Sequence, residues 1–116
     1  MEPTIYHNPR CAKSRETLRL IEQAGRSPRI IEYLKDAPST EELDQICQML
    51  GVEPVELIRA KEKRLGEIGV SVKDKRSREE WLAILSENPI LIERPIVVFG
   101  ERAVLGRPPE NVKAIL

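Results

Sequence analysis

The 116-residue sequence predicts an α/β domain with a mixed sheet, its elements running β-α-β, then a helical insertion, then β-β-α. Three observations lead there. Short β-branched runs stand near both ends of the chain, amphipathic stretches at helical spacing fill the middle, and Gly, Pro, Asn and Ser punctuate the joints. With no internal repeat, low-complexity tract or linker, residues 1–116 read as one domain.

The first strand is Thr4-Ile5-Tyr6, cut off by Asn8-Pro9. Ser14 then fits an N-cap or first-turn position, and Leu18, Leu20, Ile21 and Ala24 recur at helical spacing up to Gly25, a helix C′ residue. After Ser27-Pro28, the run Arg29 to Leu34 is β-branched enough for a second strand, parallel to the first through a right-handed crossover. Pro38-Ser39-Thr40-Glu41-Glu42 announces a helix whose stripe is Leu43, Ile46, Cys47 and Leu50, closed by Gly51.

A shorter helix is expected from about Glu53 to Arg59, with Pro54 in its first turn, followed by a polar, irregular and exposed stretch from Lys61 to Ser77. Arg78 to Glu87 is predicted helical, with Trp81, Leu82 and Leu85 as its buried face. Pro95 to Phe99 reads as a strand, Gly100-Glu101-Arg102 as a tight connection, Ala103-Val104-Leu105 as the hairpin partner, and Pro108-Pro109-Glu110-Asn111 as the opening of a short last helix. The order is that of a thioredoxin-like domain with a helical insertion.

Nineteen Lys and Arg balance nineteen Asp and Glu, so no global field draws the chain to nucleic acid or to an anionic membrane. No apolar run approaches the ~20 residues of a membrane span, and the N-terminus lacks the pattern of a signal peptide, so a cytoplasmic protein is expected. A monomer is the expected state. Two cysteines 36 positions apart make no disulfide framework.

The chemistry concentrates in His7-Asn8-Pro9-Arg10-Cys11-Ala12-Lys13-Ser14-Arg15. A cysteine between a strand and a helix faces the helix's unpaired N–H groups and the positive end of its dipole, which favour thiolate over thiol. Arg10, Lys13 and Arg15 add positive charge, although neighbouring residues need not all point at the sulfur. The same N–H groups suit an oxyanion beside the sulfur. Cys47, by contrast, belongs to an apolar helical stripe and reads as a core thiol. C-x-x-S stands where a dithiol oxidoreductase has C-x-x-C, so Cys11 has no local resolving thiol and needs one from outside, a small thiol such as glutathione. His7 is open to three roles: proton shuttle, donor to the thiolate, or capping residue.

The runs IYHNPRCAKSRETLRLIE, IRAKE, NPILIERPIVV and LGRPPE resemble, in order and spacing and over nearly the whole chain, the glutaredoxin-linked arsenate reductases of bacteria. The resemblance implies a thioredoxin-like fold in which the Cys11 thiolate attacks arsenate, with His7 and Ser14 beside it in the catalytic loop. Glutathione, as co-substrate, takes over the thiol–arsenic adduct, and glutaredoxin reduces the mixed disulfide to release arsenite. No bound cofactor or metal is implied. The oxyanion-binding arginines of the family fall on Arg59, Arg94 and Arg107, and the guanidinium fork suits a tetrahedral oxyanion as Lys does not. Arg94-Pro95 stands where thioredoxin-like folds place a cis-proline opposite the reactive cysteine. Ala12-Lys13 replaces the Gly-Thr of many members.

Two other readings share these residues. One is a thiol-dependent reductase of another oxyanion or of a mixed disulfide. The other is a redox-sensing, RNA-polymerase-binding regulator of the same fold, whose relatives usually carry the second cysteine that Ser14 replaces.

Overall fold

Strand β1 (Thr4–Tyr6) lies inside a four-stranded sheet of order β2-β1-β3-β4 in the computed structural model, which describes residues 1–116. It pairs in parallel with β2 (Arg29–Ile31) and antiparallel with β3 (Ile96–Phe99), and β3 forms a hairpin with β4 (Arg102–Leu105). Helix α1 (Ala12–Gln23) makes the crossover from β1 to β2. This is the mixed, thioredoxin-like sheet predicted from the order of elements.

The chain divides into two compact units, residues 1–36 with 94–116 and residues 37–93. In the first, Ile5, Ile21, Val97, Val112 and Ile115 form the core, with Leu18, Leu20, Phe99 and Val104 packed against it. The 3₁₀ segment Pro109–Ala114 lies along α1. The second unit holds α2 (Thr40–Leu50), α3 (Lys63–Glu67) and α4 (Arg78–Glu87), with 3₁₀ turns at Pro54–Leu57 and Pro89–Leu91. Helices α2 and α4 pack together, each opened by a full capping box, Ser39 with Glu42 and Ser77 with Glu80. Trp81, Leu82 and Leu85 are buried as expected, and so is Cys47.

Several boundaries moved for local reasons. The second strand ends at Ile31 rather than Leu34, because β1 offers only three residues to pair with, and the chain then turns through Glu32. The helix expected over 53–59 is a 3₁₀ turn. Ile58 instead bridges Ile92, and the Arg59 N–H donates to the Leu91 carbonyl at 2.8 Å, so pairing between segments overrides helix there. Lys63–Glu67 forms a short helix within the stretch read as irregular, anchored by Leu65, its one buried side chain. The last helix is 3₁₀ throughout. No helix is long and apolar enough to cross a membrane.

Candidate active site

Helix α1 begins one residue after Cys11, so the cysteine, not Ser14, is the N-cap; Ser14 is in the first turn, the other position its sequence context allowed. The Cys11 backbone is extended (φ −94°, ψ 122°) and its N–H donates to the Asn8 carbonyl at 3.0 Å, which closes the loop under the sulfur. Its side chain makes no capping hydrogen bond. Lys13 and Ser14 stand second and third in the helix that Cys11 caps, where N–H groups have no partner within the helix, and these two favour its thiolate.

Burial alone would push the Cys11 thiol up. The Ser14 N–H, the Arg94 guanidinium and the Lys13 N–H outweigh it, and the thiol ionises below its ordinary value. Arg10, Lys13 and Arg15 have exposed side chains; Lys13 contributes through its backbone, and Arg15 Nη1 ties down the Pro9 carbonyl at 2.9 Å. The cation at the sulfur comes from the far end of the sequence.

Beneath the loop, Ser14 is fully buried, and its Oγ accepts from the Asn8 N–H at 3.0 Å and lies 2.6 Å from His7 Nδ1. Desolvation dominates His7 and lowers its pKa, with Glu32 opposing and Arg15 assisting, so the neutral ring is favoured. An Oγ that already accepts from Asn8 has its own proton to offer, and a neutral Nδ1 accepts it. His7 Nδ1 is thereby committed to Ser14, and Ser14 Oγ to the loop. Asn8 Oδ1 accepts from the Arg10 N–H at 3.0 Å, an Asx turn that the Asn8-Pro9 pair announced.

The Arg94–Pro95 bond is cis, as the resemblance implied, and Arg107–Pro108 is cis as well. Arg107 Nη1 donates to the Arg94 carbonyl at 3.0 Å, which brings the two guanidinium-bearing segments together. Burial works against the charge of Arg94, but Cys11 and Tyr33 beside it raise its pKa further. Tyr33, buried two residues past β2, is a neighbour of the site that no motif marked.

Six arginines are half-buried: 26, 59, 76, 78, 94 and 107. Arg76 and Arg78 pair with carboxylates, and Arg26 stacks on Phe99. Arg59, in the helical unit, pairs with Glu62 and Glu93 at 3.5 Å each. Arg94 and Arg107 alone pair with no carboxylate and stack on no ring face. The one anionic partner Arg94 has is the Cys11 thiolate, and partly buried cations without a carboxylate beside such a cysteine suit an anion. Cys47 is fully buried in α2, and desolvation pushes its thiol up to about 11. No cluster of side chains suits a metal ion.

Residues 6–115 match the ArsC family. An arsenate reductase of Haemophilus influenzae is 44% identical over 117 residues, covering 100% of both chains. An arsenate reductase of Rhizobium meliloti is 44% identical over 116 residues, covering 100% of this chain and 82% of its own. Among solved structures, an arsenate reductase from Vibrio cholerae superposes with a TM-score of 0.93 at 47% identity, over 100% of this chain and 98% of that one. Matched by the family model over all but its first five residues and its last, and alike to these relatives along its length, the chain is a member of the ArsC family.

Proposed function

We propose that the protein reduces arsenate to arsenite through the Cys11 thiolate, with glutathione and glutaredoxin supplying the remaining thiols. The observation that carries this is the pairing of an activated cysteine at a helix N-terminus with Arg94 and Arg107, two cations that no carboxylate neutralises. The arginines hold the oxyanion and the helix N–H groups stabilise the sulfur, so the nucleophile is ionised where its anionic substrate is bound.

The thiolate attacks arsenic, a sulfur–arsenic bond forms, and one arsenate oxygen departs as water after taking up protons. A glutathione thiolate then attacks the Cys11 sulfur. The sulfur–arsenic bond breaks with its electron pair left on arsenic, which leaves as arsenite, and a Cys11–glutathione disulfide remains. Glutaredoxin takes the glutathione and restores the thiolate. Cys11 and glutathione each supply one of the two electrons.

In this proposal Ser14 and His7 shape the loop, and Ser14 presents its N–H to the sulfur. Arg59, the third arginine that the resemblance implies, is held by Glu62 and Glu93. A cytoplasmic, monomeric enzyme is proposed, since the cycle draws on a reduced thiol pool. The test is NADPH consumption with arsenate, glutathione, glutaredoxin and glutathione reductase. Wild type turns over and Cys11→Ser does not. No arsenate-dependent turnover in the wild type would sink the proposed activity, and turnover surviving in Cys11→Ser would sink the mechanism.

A further inference from the structure

Helix α1 turns Ser14, Thr17 and Ile21 toward the interior, and Thr17 is fully buried where a valine of the same shape would pack. Its Oγ1 donates to the Lys13 carbonyl at 2.8 Å. A threonine hydroxyl bonded four residues back is commonplace in helices. What sets this one apart is the peptide it reaches. The Lys13 carbonyl and the Ser14 N–H belong to one planar peptide unit, so the group whose oxygen accepts from Thr17 carries the third N–H of the helix that Cys11 caps, one of those that favour its thiolate.

Thr17 is also held from the far side. Gly106 lies so close that a methyl group there would come within 2.5 Å of Thr17 Oγ1, 3.1 Å of Thr17 Cγ2 and 2.8 Å of Pro95 Cγ. The Gly106 N–H donates to the Pro95 carbonyl at 2.9 Å, which fixes that backbone against the residue following Arg94. The Thr17 side chain therefore has a wall on one side and the Lys13 carbonyl on the other.

We propose that Thr17 is a positioning residue of the Cys11 centre: its hydroxyl holds and polarises the Lys13–Ser14 peptide in the first turn of the helix that Cys11 caps, and Gly106 locks it in the rotamer that does so. A hydrogen bond accepted at a peptide oxygen polarises the whole peptide, so its N–H presents more positive charge to a nearby anion. The inference deepens the reading of Cys11 as the nucleophile and rests on it.

The experiment follows alkylation of Cys11 by iodoacetamide across pH, read on the Cys11 peptide by mass spectrometry, in wild type, Thr17→Val and Thr17→Ser. Thr17→Val keeps the shape and loses the hydroxyl. Its reactivity midpoint rises by about 0.3 pH unit, seen as alkylation about twofold slower below the midpoint, while Thr17→Ser stays at the wild-type value. Thr17→Ala, which makes room beside Gly106, shows the same rise and serves if the valine variant does not fold. A Thr17→Val midpoint equal to wild type, or Val and Ser midpoints that move together, overturns the inference. No arsenate enters the assay, so its outcome is separate from turnover. A wild-type midpoint at the ordinary thiol value, about 8.5, would overturn the activated Cys11 and Thr17 with it.

Discussion

Replacing Gly106 by alanine tests the packing that brings α1, the Arg94–Pro95 segment and Arg107 together. The new methyl would stand 2.5 Å from Thr17 Oγ1 and 2.8 Å from Pro95 Cγ, both closer than real carbon contacts allow. Neither neighbour yields cheaply: Thr17 is fully buried and bonded to Lys13, and Pro95 is a closed ring. Overpacking of this kind costs about 1–3 kcal/mol, offset by the ~0.4–1 kcal/mol that loss of glycine's freedom in the unfolded chain returns. At an unfolding entropy of about 2.1 cal/mol/K per residue, 116 residues lose ~4 °C of Tm per kcal/mol. Taking the middle of each range, about 1.3 kcal/mol is lost, so a Tm lower by about 5 °C is expected, with a matching fall in urea midpoint. Arg107 follows Gly106 directly, so under the proposed function KM for arsenate rises more than kcat falls. Gly66, which has nothing within 4 Å of its virtual methyl and sits inside α3, is the control, and Gly66→Ala is neutral or stabilising by up to ~1 kcal/mol. A Gly106→Ala protein as stable as wild type would refute the close approach.

Other consequences are more local. Arg94→Ala raises the pH midpoint of Cys11 alkylation by up to about one unit, its charge-assisted bond being discounted for partial exposure, and Arg94→Lys falls between; a midpoint that does not move would remove Arg94 from the site. Because the folded pKa of Cys11 lies below its unfolded value, its ionisation contributes stability that is full above about 8.5 and lost as pH falls through the folded value. Urea titrations of wild type and Cys11→Ser should therefore diverge with rising pH, and parallel curves would contradict the lowered thiol. Ser39→Ala costs about 0.5–2 kcal/mol through loss of the α2 capping box, read as faster amide exchange in that helix. Cys47, fully buried with its thiol pushed up to about 11, stays unlabelled by iodoacetamide at pH 8 until denaturant is added, whereas Cys11 labels in the native state.

The strands, the capped helices and the reactive loop were legible because each is a local pattern. Ser39 and Ser77 carry their glutamates three residues on, and Cys11 stands between a β-branched run and a helical stripe. Arg94 and Arg107 were reached through motif resemblance, and the structure adds why they differ from the other half-buried arginines. Arg59 shows the limit of that route. Its carboxylates, Glu62 and Glu93, lie three and thirty-four residues away, and no local pattern announces the second. Ile58 was read as helical for the same reason, since its partner Ile92 is remote. Tyr33, Thr17 and Gly106 are three further cases. Each has its meaning in a contact between distant segments, and Gly106 has no turn of positive φ to single it out.

The departure of Ala12-Lys13 from the family's Gly-Thr takes a different weight once the loop is seen. Both side chains are exposed, and what Lys13 gives the sulfur is a backbone N–H that any residue but proline supplies there. Thiolate formation is thus insulated from the change, which bears on the outer face of the loop, where a substrate or a partner thiol arrives. Ser14 is the opposite case. Its hydroxyl lies inside the loop between His7 and Asn8, so the position that holds a second thiol in a dithiol enzyme here closes the scaffold that aims the first. Reducing arsenic by two electrons takes two thiols, and the only other cysteine is buried in the helical unit with its proton held tightly. In the proposed cycle, therefore, the chain commits one electron and a binding site, and the second electron arrives by diffusion, which makes the concentration of the external thiol a determinant of turnover.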